Sequence, residues 1–175
     1  MAAKITYRLF SKYGNIIYNK DEFADFNKYF IDNFAENLLE SHLQLMFSRK
    51  TQFVGSKCLN FNIKFVSSSI KIPKTMAKLK PFIENIMYET AIPIMMATER
   101  DLTLFNDDPI EYIRKQEDFT ETLYMPKNTT IDLLQYICMY KSGGDSSSVK
   151  PDYLFPFLNY AVNNMKNYKQ LQQTG

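Results

Sequence analysis

Apolar residues recur three or four positions apart along nearly the whole chain, and that one regularity excludes most architectures. Ile5, Leu9, Tyr13 and Ile16 fall on one face of a short first helix that stops near Gly14 to Asn19. Phe23, Phe26, Phe30, Phe34, Leu38 and Leu45 carry the period through Phe47, giving a long helix over roughly 22–49 with Asp21 as its N-cap. Val54, Cys58, Phe61, Phe65 and Ser69 form the stripe of a third helix, with Val66 and Ile70 beside it, ended by "KIPK". A fourth runs from about Thr75 to Ala97 with Leu79, Ile83, Ile86, Met87 and Ile94 inward. Pro81 and Pro93 lie inside it, and each predicts a kink or break, because proline lacks the amide hydrogen and crowds the preceding turn.

Shorter helices are predicted over about 99–105 and 108–116, then a longer one over about 127–141 with Ile131, Leu134, Ile137 and Cys138 inward. Pro151 opens a last helix whose stripe is Leu154, Phe157, Leu158, Ala161, Val162 and Met165. With five Gly and seven Pro in 175 residues, the chain is too poor in turn formers for a many-stranded sheet. The fold class is therefore all-α. The apolar faces are wide, as in helices packed on two sides. Taken in couples they suggest an α-solenoid of HEAT-like antiparallel helix pairs, with units near the roughly 40–47 residues of such repeats. Residues 1–170 would hold three to four repeats in a single segment, 142–150 a flexible loop and 171–175 a frayed tail. The period is imprecise, and on periodicity alone an irregular helical bundle remains open.

Chemistry is sparse. Charged residues are 23% of the chain and the formal net charge is +2, which does not single out nucleic acid or an anionic membrane as partner. No run reaches the ~18 apolar residues of a membrane span. "MAAKITYRLF" lacks the apolar core and cleavage site of a signal peptide, so a soluble intracellular protein is expected. Cys58 and Cys138 lie eighty positions apart with no accompanying Cys/His cluster, so they are read as buried thiols and no metal is expected. The one histidine, His42, has no base, orienter or nucleophile at a useful spacing and is read as a partly buried structural residue. "SGGDSSSVK" has no GK[ST] ending and is no phosphate cradle, and "NTT" at 128–130 reads as a helix-start cluster. No catalytic residue and no cofactor are assigned.

One stretch stands apart: residues 104–119, "LFNDDPIEYIRKQEDF". Local capping explains part of it. Asp108 caps a short helix, Pro109 takes its first position, and Glu111 lies in the first turn, where the helix dipole favours negative charge. Ile110 and Ile113 are then expected inward, with Arg114 and Lys115 toward solvent. Capping does not require Asp107, nor the pair Glu117–Asp118.

"DDPIEYIRKQEDF" resembles the "DP-x-EYIR" signature of the importin-β (karyopherin-β) nuclear transport receptors, in the branch of importins seven and eight and their fungal relatives. "DEFADFNKYFIDNFAENLLESHLQLMF" is similar to that branch's acidic, Phe-rich helix, and "LKPFIENIMYETAIPIMMATERDLTLFNDDP" follows its Leu-Lys-Pro pattern. The resemblance implies a stack of HEAT repeats that binds protein cargo, the GTP-bound GTPase Ran and phenylalanine-glycine nucleoporins, shuttles between cytoplasm and nucleus, and catalyses nothing. It also implies an internal segment of a longer chain. By the same resemblance Asp107, Asp108, Glu111 and Arg114 become candidate partner contacts. Exposed end repeats would leave apolar faces open, so self-association is expected. The alternative is an unrelated α-solenoid scaffold that grips a protein partner in a concave groove.

Overall fold

The computed structural model describes residues 1–14, 23–49, 51–117, 125–143 and 150–173, with side chains described up to residue 167. Every regular element among them is helical. Helix α1 is Ala2–Tyr13 and α2 spans residues 24–48; α3 is Ser56–Ser69 and α4 spans residues 73–95. Then follow α5 (Glu99–Asp107), α6 (Pro109–Glu117), α7 (Pro126–Met139) and α8 (Leu154–Gln173). Two compact units divide at Leu133/Leu134, inside α7.

Side-chain pairs fix the directions of the first four helices. Tyr13 meets Phe26 (5.1 Å between ring centroids), Phe10 meets Phe30 (6.4 Å), and Thr6 meets His42 (2.9 Å). The numbers fall along α1 as they rise along α2, so the two are antiparallel. Tyr7 meets Phe61 at 6.0 Å and Phe10 meets Phe65 at 4.4 Å, so α1 and α3 run parallel. Asp32 pairs with Lys74, Glu36 and Glu40 with Lys78, and Phe47 with Phe82, so α2 and α4 are also parallel. Two antiparallel couples, α1/α2 and α3/α4, therefore stack like on like, which is the HEAT arrangement expected of the sequence.

The core centres on Phe65, fully buried between Phe10 of α1 and the His42 ring of α2, which stacks on it at 4.0 Å. Around it lie Leu39, Met46, Ile63, Met76, Leu79, Ile83, Ile86 and Met87. Leu79, Ile83, Ile86 and Met87 of α4 are the ones its spacing predicts; Met76 is buried in addition, and Ile94, expected inward, is half-buried. The prolines of α4 deform the helix without ending it. Pro81 sits in a 3₁₀ turn (Lys80–Phe82), and a π turn (Asn85–Ala91) precedes Pro93, whose ring crowds the carbonyl four residues back.

Several expected stripes are rotated. In α1 the inward residues are Ala3 and Phe10, while Ile5 and Leu9 face solvent, because Phe10 is the side chain that reaches Phe65. In α2 the buried line is Asn27, Phe30, Ile31, Ala35, Leu39, His42, Leu43 and Met46, leaving Phe26 and Phe34 exposed. Ile31, Ala35, Leu39 and Leu43 are spaced by fours, and each such step overshoots an α-helical turn by about 40°. A π turn at Ile31–Ala35 absorbs the excess. In α3, Cys58 and Phe61 are only half-buried, whereas Leu59, Asn62 and Ile63 are inward, since α1 and α2 both cover this helix.

Thr130 and Leu133 of α7 are buried in the first unit. Ile131, expected inward, is exposed, because the buried stripe is offset from it by one residue. The second unit buries Leu134 and Ile137, and holds the turn into α8 by Asp152, whose amide donates to the Tyr140 carbonyl (3.0 Å) and whose carboxylate accepts from Ser142. The predicted α8 stripe is only partly covered: Leu154, Phe157 and Ala161 are half-buried, and Leu158, Val162 and Met165 are exposed. No described helix is long and apolar enough to cross a membrane. The expected N-cap Asp21 and most of the 142–150 loop lie outside the described residues.

Candidate functional site

The four candidate contacts lie on the corner between α5 and α6, where one residue, Asp108, joins two nine-residue helices. The corner is locally built. At the start of α5 a capping box closes: the Thr98 amide donates to Asp101 Oδ2 at 2.8 Å, and the Asp101 amide donates to Thr98 Oγ1 at 3.2 Å. The Thr98 amide holds the Asp101 carboxyl below the usual carboxylate range. Asp108 leaves helical geometry (φ −146°, ψ 85°), and its Oδ1 accepts the Glu111 amide at 2.9 Å. That is the cap expected of it, with Pro109 in the first helical position. Phe105 and Tyr112 meet edge to face at 5.4 Å and brace the two helices.

Glu111 and Arg114 form a loose ion pair at 3.5 Å, with the Arg114 side chain 81% exposed. In such exposure the pair adds little stability. Asp107 ends α5, exposed, and takes no part in the cap. The structure therefore brings Asp107, Asp108, Glu111 and Arg114 together at one corner, two of them with local structural work and Asp107 with none. At the other end of the α5/α6 pair, where α5 starts and α6 ends, lies a cleft of about 490 Å³ bordered by Phe53, Met96, Thr98, Asp101, Gln116 and Lys127; none of the four candidates lines it.

Of the orientation expected of α6, only Arg114 toward solvent holds. Ile110 and Ile113 are 80% and 53% exposed, and the half-buried side carries Glu111, Tyr112 and Lys115. Tyr112 sets the rotation, because its ring is the one held by Phe105.

Sequence reasoning missed the ladder between the parallel helices α2 and α4. Lys74 Nζ lies 3.0 Å from Asp32 Oδ1, and Lys78 Nζ lies 3.4 Å from Glu36 and 3.5 Å from Glu40. Glu36 first, then Glu40, raise the pKa of the Lys78 ammonium. The spacing of four in 32, 36, 40 and 74, 78 was the available signal, but only the pairing of α2 with α4 gives it meaning. Beside the ladder a groove of about 240 Å³ is floored by Leu39, Leu43, Phe47 and Phe82.

His42 is buried as well as structural. Nε2 lies 2.9 Å from Thr6 Oγ1, and burial lowers its pKa to about 4, with Asn62 beside it opposing the shift. From α2 it touches Thr6 of α1 and Phe65 of α3, so it joins three helices. Burial raises the Cys138 thiol pKa, which makes it a weak nucleophile. Among the described residues no three metal-ligating side chains converge.

Stacked antiparallel helix pairs define the class: an α-solenoid of HEAT-like repeats. The Cse1 family model matches residues 10–173. The chain belongs to the importin-β family of nuclear transport receptors, in the branch of importin-8 and its fungal relatives. It is 27% identical over 170 residues to the importin beta-like SAD2 homolog of Arabidopsis thaliana, covering 96% of this chain and 16% of that one. Human importin-8 is 26% identical over 134 residues, covering 76% of this chain and 13% of its own. Nonsense-mediated mRNA decay protein 5 of Saccharomyces cerevisiae is 24% identical over 168 residues, covering 92% and 16%. The chain thus spans about a sixth or less of these relatives. No solved structure gives a significant match. Family membership removes the alternative of an unrelated scaffold.

Proposed function

We propose that this chain serves a nuclear import receptor that binds protein cargo, Ran-GTP and phenylalanine-glycine nucleoporins, and that it moves between cytoplasm and nucleus. Its three to four HEAT-like repeats contribute binding surface and no catalysis. The observation that carries this reading is the like-on-like stacking of α1/α2 and α3/α4 in a chain whose family match runs over residues 10–173. Stacked pairs touch mainly their neighbours, so small changes at each interface add up to a change in curvature that can follow a partner.

Asp107, Asp108, Glu111 and Arg114 are proposed as the partner contact. Asp107 is the informative one, since it is exposed and outside the cap, and an acid there favours a basic surface. The test is Ran-GTP and cargo binding by the receptor carrying Asp107→Arg, at submicromolar protein. The expected result is roughly five- to tenfold weaker affinity for one of them with an unchanged melting temperature. Unchanged affinity for both leaves the corner with a capping role only.

A further inference from the structure

The two helix couples divide their charge by layer. Helices α1 and α3, side by side and parallel, carry Lys4, Arg8, Lys12, Lys57 and Lys64 and no acid, and Lys71 stands two residues beyond α3. The acids of the first four helices all lie on α2 and α4, Asp32, Glu36 and Glu40 among them. Lys4, Arg8 and Lys12 are four apart along α1, and Lys57, Lys64 and Lys71 seven apart along the α3 line, so each set follows one side of its helix. Phe61 ties the two lines together. The Lys4 ammonium lies 5.8 Å from its ring centroid and the Lys64 ammonium 5.7 Å. Arg8 and Lys12 are exposed. Among the described residues none of Lys4, Arg8, Lys12 and Lys64 takes part in an ion pair.

The fold does not require this segregation. Like charges four apart repel along a helix, and where α2 meets α4 the acids are neutralised across the Lys74/Lys78 ladder. Lys4, Arg8, Lys12 and Lys64 have no such ladder. We propose that the α1/α3 face docks an acidic segment, rich in Asp and Glu, of a partner protein. Carboxylates on alternate residues of an extended segment recur about every 7 Å, close to the ~6 Å rise between successive cations of α1. The line from Lys57 to Lys71 is about 21 Å long, which roughly six extended residues cover.

A nucleic acid fits the face less well. Single strands are held on aromatic rings open to the bases, whereas Phe61 is half-buried, lies against Tyr7 and has two ammonium groups beside it. The acidic layer of α2 and α4 also disfavours a long polyanion. The face is opposite in sign to Asp107, so this inference goes beyond the transport reading and depends on neither Ran nor cargo.

Fluorescence anisotropy of a labelled polyglutamate peptide of about ten residues, titrated with the chain, tests it. A dissociation constant of roughly 50 µM is expected at about 50 mM salt, weakening about tenfold at about 250 mM. Arg8→Glu should weaken binding about fivefold, and Arg8→Glu with Lys12→Glu about twentyfold, with helicity by circular dichroism unchanged because both residues are exposed. Lys28→Glu, the same change of charge placed on α2, should alter it by less than about twofold. A thymidine strand of about ten nucleotides should bind at least about fivefold more weakly than the peptide. No peptide binding up to about 1 mM chain overturns the proposal, as does Lys28→Glu proving as damaging as Arg8→Glu. A thymidine strand that binds as tightly as the peptide assigns the face to nucleic acid and overturns it too. So does self-association of the chain alone that Arg8→Glu with Lys12→Glu abolishes, which would assign the face to a second copy.

Discussion

His42 and Phe65 show how much one contact can hold. Phe65 touches α1 and α2 from α3, so its loss opens a cavity shared by both helix couples. Phe65→Ala should cost about 3–5 kcal/mol by chemical denaturation. His42 makes the same junction sensitive to acid. Its folded pKa of about 4 lies below its ordinary 6.5, so the unfolded chain binds the proton first. Its contribution to stability is whole above pH 6.5 and declines as the pH falls toward 4, by roughly 3 kcal/mol in all. As the only histidine of the chain, it can be followed cleanly by proton NMR. A ring that titrates near 6.5 in the folded state would contradict its burial. His42→Gln should flatten the pH 6.5–4 part of the stability curve, whatever it does at neutral pH.

At the scale of elements, the sequence was informative where the cause is local. The Asp108 cap and Pro109 start could be read directly, because a cap concerns residues three positions apart. The deformations at Pro81 and Pro93 were legible for the same reason. Rotation about a helix axis was not. Ile5, Ile110, Ile113 and Ile131 are all exposed, although each lies on an apolar repeat, because the neighbour that selects the face is distant in sequence. The π turn at Ile31–Ala35 shifts the buried line within a helix that otherwise looks regular. The Lys74/Lys78 ladder is likewise visible only once α2 and α4 are set side by side. It lies at the surface, so Lys78→Ala should leave the melting temperature within about 2 °C of the parent, as calorimetry would show. A larger drop would mean that the ladder fixes the spacing of these helices.

For the molecule, the period of the apolar residues led to helix pairs, and the resemblance led to the family that the match over residues 10–173 establishes. The candidate contacts were named from that resemblance, and the structure supplies their setting: a sharp corner with acids at one end and isoleucines bare beside them. Why those isoleucines are bare could not be read from spacing, because it depends on what meets them.

Parallel stacking of like helices also limits how far along the chain any contact must reach. Lys74 finds Asp32 across 42 positions and Lys78 finds Glu40 across 38. Adding further couples would not lengthen these separations, so the entropy of closing each junction stays fixed as such a chain grows. Assembly can then proceed like a zipper, each finished couple offering the template for the next, and unravelling at one end need not loosen the rest.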